Sequence, residues 1–272
     1  MDHYHHISYE LSERLTKAYS TSFSLSIRLF APELRPHIYA IYGLVRVADE
    51  IVDTYKGSDA REILDELEQD TYRALKSGFS VHPIVHAFAQ TARQYDIQKT
   101  LIQPFFTSMR MDLSPQTYNQ KKYATYIDGS AEVVGLMCLK VFGGNFTKLE
   151  PGARRLGAAY QKVNFLRDIA ADSQELHRWY FPNSTLESFD EKTKGIIIAD
   201  IEKDFAVAKK AIQTLPNSSR RAVLLSYRYY SLLLKKLKHT PAHAILQNRI
   251  RIHNVTKILL LLRVSLPGGN RV

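Results

Sequence analysis

The 272 residues predict an all-α protein, a bundle of roughly ten helices. Three observations carry this expectation. Apolar residues recur with a helical period nearly throughout, strict two-residue alternation is almost absent, and proline and glycine breakers fall at intervals of helical length. Taken in order, the first helical stretch contains the irregular His3, His5 and His6, an incidental terminus rather than a metal site, and runs to Ala31-Pro32. A helix then begins around Glu33 and ends before Lys56-Gly57-Ser58, with Asp49 and Asp53 near its C-terminal end. The next closes at Ser77-Gly78, and its Asp65 to Asp70 stretch has the mixed charges of an exposed face. His82-Pro83 opens a stretch that lasts to Ser114-Pro115, and the one after it stops at Gly143-Gly144. A helix starting around Pro151-Gly152 and closing before Phe181-Pro182 carries Asp168 and Asp172 late in its length. Leu215-Pro216 and Thr240-Pro241 divide what remains.

Composition bounds the function. A hydrophobic content of 45% supports a sizeable core, and no linker, repeat or low-complexity tract divides the chain, so residues 1–272 are expected to form a single domain. The lone Cys138 excludes an intrachain disulfide and a cysteine-based zinc site. No apolar run has the length of a membrane span and the N-terminus lacks the order of a signal peptide, which predicts a cytoplasmic protein. The net charge of +10 admits nucleic acid, anionic lipid or polyphosphate as partner. Nucleic acid is disfavoured because no zinc finger, RNP-like motif or basic zipper is present. The basic residues concentrate in the last third, at Lys235, Lys236, Lys238, Arg249, Arg251 and Lys257. Beside them, Ile258-Leu-Leu-Leu-Leu262 could lay an amphipathic C-terminal helix on the inner face of the cytoplasmic membrane, or face the core with its lysines solvated.

The chemistry is carried by two carboxylate pairs of equal spacing, Asp49/Asp53 and Asp168/Asp172, in otherwise apolar helical sequence. At four residues apart each pair lies within about 40° on one helical face. Tyr42, Arg46, Asp49 and Asp53 share an arc of about 60°, and Gln161, Asn164, Asp168 and Asp172 one of about 80°. A lone pair of this kind is most often a solvated face. Two pairs, each in a polar stripe with an arginine nearby, instead suggest carboxylates neutralised by a cation. Mg²⁺ binds through one or two carboxylates together with substrate phosphates, so the two stripes suggest a diphosphate held between helices, with Arg46 and Arg167 available to its oxygens.

Further segments accompany these stripes: Tyr19-Ser-Thr-Ser-Phe23, Ile41 to Asp53, Met109-Arg-Met-Asp-Leu113, Tyr126 followed nine residues on by Gly135, Gln161 to Asp172, Arg178-Trp-Tyr-Phe-Pro182, Tyr230 and Arg249-Ile-Arg-Ile. Together they resemble the squalene/phytoene synthase family, head-to-head prenyl synthases, and most of all its bacterial carotenoid-pathway members. The resemblance implies the isoprenoid synthase fold, helices around a central cavity, and a reaction on two allylic prenyl diphosphates. These are joined into a cyclopropyl diphosphate, which then rearranges with loss of the second diphosphate. It implies Asp49, Asp53, Asn164, Asp168 and Asp172 as ligands of Mg²⁺, about three ions with substrate bound and Mn²⁺ a substitute. The four aspartates, Arg46, Tyr126 and Tyr230 are then catalytic. Ser20, Ser22, Tyr42, Arg46, Gln161, Asn164, Arg167, Arg178 and Arg249 would bind diphosphate, and Phe23, Val134 and Gly135 the prenyl chain. The favoured product is phytoene from two geranylgeranyl diphosphates, which needs no NADPH. Dehydrosqualene, squalene or presqualene diphosphate from two farnesyl diphosphates is the alternative. A monomer or weak homo-oligomer is expected.

Two other classes are weighed against this. A non-catalytic, membrane-associated assembly factor has no reason to hold bare carboxylates in a cavity, and a terpene cyclase carries different second motifs. The sequence departs from the family at Thr21, where lysine is frequent, and at Glu50, where a second aspartate is common. It also places Asp128 and Glu132 where the family is apolar or glycine, which puts the pocket wall in question. The segment Ser173-Gln-Glu-Leu-His177, over the site, differs as well.

Overall fold

Capping and packing explain where each helix starts and stops in the computed structural model, which describes residues 3–114, 117–174, 176 and 178–265. Thirteen α-helical segments and no strands occur among them, with one isolated bridge between Thr117 and Trp179. The first expected stretch divides into α1 (His3–Tyr19) and α2 (Thr21–Ile27), because the Ser20 hydroxyl accepts from the Phe23 amide at 3.2 Å and starts a new helix. Helix α3 (Arg35–Asp49) begins with Pro36 in its first turn and passes into a π-helical turn, Glu50–Thr54. Helix α4 (Ala60–Ser77) ends on Gly78, at φ 81°. Helix α5 (Pro83–Gln94) has Pro83 at its start, and α6 (Lys99–Asp112) runs through Pro104. A second π-helical turn, Asp128–Glu132, joins α7 (Gln120–Ile127) to α8 (Val133–Phe142), and Gly143 and Gly144, both at positive φ, turn the chain. The Ser114-Pro115 boundary lies partly outside the described residues.

Helix α9 (Phe146–Gln174) corrects the expected start at Pro151-Gly152. The Asn145 side chain accepts from the Lys148 amide at 3.0 Å and opens the helix five residues earlier, and Pro151 is carried inside it. The adjacent glycine is a packing requirement, since a Cβ on Gly152 would lie 2.1 Å from that of Ala211. Gly157 likewise admits the backbone of the second π-turn, the Ala131 carbonyl oxygen lying 2.5 Å from where a Cβ would sit. Helices α10 (Glu191–Ile212), α11 (Asn217–His239), the short α12 (Ala242–Ile245) and α13 (Asn254–Ser265) follow.

Two apolar clusters fill the bundle. One gathers α3, α5, α6 and α8 around Phe88, Phe105, Phe106, Ile41 and Leu136. The other gathers α9, α10 and α11 around Phe165, Leu166, Ile201 and Leu233. Leu156 and Tyr227 touch both. The α4 stripe is less exposed than expected, because Arg110 of α6 reaches across to Glu68 and, at 2.5 Å, to Asp65. No helix among the described residues is long and apolar enough to cross a membrane.

Candidate active site

Both aspartate pairs fall where their helices leave the core, and the bundle turns them towards each other. The carboxyl of Asp172 is pushed up to about 7, first by burial and then by the negative charges of Asp168, Asp53 and Asp112, with Arg178 opposing. Asp49 is also pushed up to about 7, again by burial first, with Arg46 opposing and Asp53 and Asp112 adding to the rise. Five carboxylates, from α3 and the π-turn that continues it, α6 and α9, therefore share one field.

Arginines answer part of that charge. Arg178 donates to Asp53 Oδ1 at 2.5 Å, to the Val52 carbonyl at 2.9 Å and to the Asp112 carbonyl at 2.8 Å, so one guanidinium clasps the end of α3 to the end of α6. Asp168 is held on two sides. Arg167 donates to Oδ1 at 2.9 Å and Oδ2 at 2.5 Å, and Arg249 Nε lies 2.7 Å from Oδ1. Arg46 sits 3.6 Å from both Asp49 and Glu50, with its guanidinium 5.0 Å from the Tyr19 ring centroid and 5.9 Å from that of Tyr42. The Asp172 carboxylate has no hydrogen bond or ion pair among the described residues, although its backbone carbonyl accepts from the Arg178 amide at 2.8 Å.

Two functional-looking residues carried no assigned role in the sequence reading. Asp112 is buried and accepts from Tyr126 at 2.5 Å and from Tyr180 at 3.1 Å. Burial pushes it up to about 6 against the pull of Arg178 and the Tyr126 bond. The signal was present in Met109-Arg-Met-Asp-Leu113 and in Tyr180 of Arg178-Trp-Tyr-Phe-Pro182. Tyr126 thus lies beneath the Arg178 clasp, its ring edge-on to Tyr118 and tilted against Tyr180 and Phe165. Tyr230 lies apart, against Arg167 and stacked on Tyr160 at 4.0 Å, its phenol raised by burial with Arg167 opposing.

Beside the charged cluster, and joined to it by Gln161, one turn before Asn164, an apolar cavity of about 230 Å³ lies between α2, α8, α9, α10 and α11. Phe23, Val134, Gly135 and Gln161 stand on its wall, with Cys138, Phe142 and Tyr160. Phe23 stacks on Tyr42 at 5.2 Å, joining the cavity to the α3 stripe. Gly135 admits α9, since its missing Cβ would sit 3.0 Å from the Ala153 carbonyl oxygen. Ser20 caps α2, and Ser22 lies in the first turn after it. Asp128 and Glu132 do not line the cavity. Arg154 takes Asp128 at 2.7 Å, Glu132 at 3.5 Å and Glu150 at 3.0 Å, so the wall keeps Ser130, Ala131 and Val134. A third pair of the same spacing, Asp200/Asp204, is neutralised by the buried Lys162 at 2.5 and 2.7 Å. The segment over the site is described only in part, with Glu175 and His177 outside the described residues.

Among the described residues no three carboxylate, histidine or cysteine side chains converge tightly enough to hold an ion by themselves. Mg²⁺ needs no such cluster, because water and substrate phosphate complete its shell. The donor set fits the ion: Asp49 and Asp172 are held as costly anions, and the buried Asn164 Oδ1 has no hydrogen-bond partner. Asp53 and Asp168 would exchange a guanidinium for it.

Comparison with known proteins follows the same lines. The family model described as squalene/phytoene synthase matches residues 16–256. A phytoene synthase of Arthrospira platensis is 28% identical over 264 residues, covering 85% of this chain and 84% of the relative. A presqualene diphosphate synthase of Zymomonas mobilis is 34% identical over 193 residues, covering 70% and 63%. A dehydrosqualene synthase crystallised with a ligand shares the fold at a TM-score of 0.80 and 19% identity, covering 96% of each chain. The chain belongs to the squalene/phytoene synthase family and is a prenyltransferase of that type.

Proposed function

We propose that this member of the family is a phytoene synthase, joining two geranylgeranyl diphosphates through cyclopropyl (prephytoene) diphosphate to phytoene, as a single cytoplasmic domain over residues 1–272. The observation that carries the reading is the meeting of two aspartate pairs and four arginines beside an apolar cavity. Ionising a C–O bond to diphosphate leaves a polyanion beside an allylic cation. Arg46, Arg167, Arg178 and Arg249 would bind and orient the departing oxygens. Bound Mg²⁺, held by Asp49, Asp53, Asn164, Asp168 and Asp172, would neutralise the diphosphate and stabilise its release. The cavity wall, with Phe23, Phe142 and the Tyr160 ring, excludes water, and aromatic faces stabilise positive charge along the chain. The Asp112–Tyr126 pair holds one proton in a short bond close to the clasp.

A second reading is favoured by the 34% identical relative: synthesis of presqualene diphosphate from two farnesyl diphosphates. The test is incubation of the full chain and Mg²⁺ with each diphosphate, with and without NADPH, followed by mass analysis of the lipid extract. Phytoene without NADPH supports the first reading. Presqualene diphosphate or a thirty-carbon hydrocarbon replaces it with the second, and absence of product from either substrate removes both.

A further inference from the structure

The last acidic residue of the chain is Asp204. The 68 residues after it hold thirteen lysines and arginines and no aspartate or glutamate, although the whole chain carries only +10. This segment builds α11 to α13 and brings no acid of its own, although Glu202 pairs with Lys238 and Asp168 with Arg249.

Helix α13 presents an unusual face there. Its buried Val264 lies on the side packed towards α11 and α2. Val255, Ile258, Leu259 and Leu262, spaced three, one and three, fall within about 100° on the opposite side. They are 69%, 51%, 59% and 55% exposed. An ordinary surface helix turns polar residues outward, and this one turns out its aliphatic row. Cations border the row. Lys236 donates to the Arg251 carbonyl at 2.8 Å, at the entry to the helix. Arg263 is exposed beside Leu262, and it stands near enough to Arg228 for like charge to lower the Arg228 pKa, after burial. Lys257 does not border the row: it points about 150° away from it, over the Tyr229 ring of α11 at 5.7 Å.

The geometry points to this face of α13 as the docking surface for an anionic lipid bilayer. An aliphatic row seats in the boundary between headgroups and acyl chains, and lysines and arginines around it meet the negative surface potential. A second copy of the chain is a poor occupant, because two such faces would bring two cationic rims together. The surface adjoins the site: Arg249, on Asp168, precedes α13 by five residues, and α2, which packs against it, carries Phe23 on the cavity wall. Docking does not depend on which prenyl diphosphates the site joins.

The experiment is sedimentation of the full chain with vesicles of phosphatidylcholine alone or with about 30% phosphatidylglycerol, in low and high salt. Each cation at an anionic surface changes partitioning by about fivefold. The wild type is expected to bind the anionic vesicles at least tenfold more tightly and to be released by about 0.5 M NaCl. The double variant Ile258→Glu/Leu259→Glu should lose binding more than tenfold. Arg251→Glu/Arg263→Glu should weaken binding to anionic vesicles alone, with helical content and thermal midpoint unchanged in both. Equal binding by wild type and Ile258→Glu/Leu259→Glu overturns the proposal. So does failure of the wild type to bind, including the case where light scattering shows a dimer that these substitutions dissociate.

Discussion

Arg178 and Asp53 stand 125 positions apart in the chain and meet at 2.5 Å. The same guanidinium reaches the carbonyls of Val52 and Asp112, so it fixes the angle at which Asp53 faces Asp172 as well as relieving their charge. Asp53 is 43% exposed and water screens its charge, so losing the buried guanidinium and its bonds is expected to cost about 1–2 kcal/mol. Arg178→Gln is expected to lower kcat/KM about a hundredfold and the thermal midpoint by several degrees, with Arg178→Lys between it and wild type. Product assays and CD melts measure both; wild-type turnover in Arg178→Gln would exclude the clasp from catalysis.

Asp172 is kept at a cost. Its folded pKa of about 7 lies above the ordinary 3.8, so the unfolded chain gives up this proton at lower pH, and stability falls as pH rises from about 4 to about 7. Asp172→Asn removes that loss. At pH 8 the variant should be about 2 kcal/mol more stable in metal-free buffer, a figure discounted for the water that reaches the site. It should lose nearly all turnover and most of the Mg²⁺-dependent rise in melting temperature. Urea unfolding with and without Mg²⁺ reads this directly.

His37 gives a second pH dependence, away from the site. It is buried between Thr91, at 3.0 Å, and Tyr9, at 3.4 Å, and burial pushes it down to about 4. The unfolded chain binds this proton first, so stability falls as pH drops from about 6.5 to about 4, by up to about 3 kcal/mol. In His37→Gln that part of the acid sensitivity should vanish while the neutral-pH loss stays near 1 kcal/mol. Parallel pH profiles for the two proteins would refute it.

Gly129 fixes the second π-turn against α6. A Cβ there would sit 2.1 Å from both the Pro104 carbonyl oxygen and the Ser108 hydroxyl, and that hydroxyl donates to the Tyr126 carbonyl at 3.2 Å. Gly129→Ala should cost about 3 kcal/mol in urea unfolding, whereas Gly195→Ala, facing open space in α10, should be neutral or stabilising.

Cys138 stands on the cavity wall midway along α8. Cys138→Phe fills part of that volume. If prenyl chains occupy the cavity, this variant should lose at least tenfold more kcat/KM on geranylgeranyl than on farnesyl diphosphate. An equal loss on both would place the chains elsewhere.

Much of this was legible in sequence for a definite reason. Helical period and breakers are local, and the two stripes needed only their own spacing. What escaped depended on partners far along the chain. Asp112 looks like one acid in an apolar run until Tyr126, Tyr180 and Arg178 close on it from 14, 68 and 66 positions away. The charges at Asp128 and Glu132 looked like a defect in the pocket wall because Arg154 was not visible as their partner. Pro151 looked like a boundary because the contact of Gly152 with Ala211 cannot be read from composition. Spacing alone also fails to separate the site pairs from Asp200/Asp204, where the buried Lys162 reaches both carboxylates and Arg155 approaches Asp204.

The π-turn at Glu50–Thr54 makes the working unit something other than its letters. A π-turn accommodates one residue more than an α-helix of the same rise. Loss of a single codon between Asp53 and the Lys56-Gly57 loop would therefore leave every motif residue in place, yet could relax the turn to regular helix and rotate Asp53 away from Arg178. Such a gene would still be recognised as a relative while its product had lost the clasp, so length between landmarks is inherited information as much as the residues are.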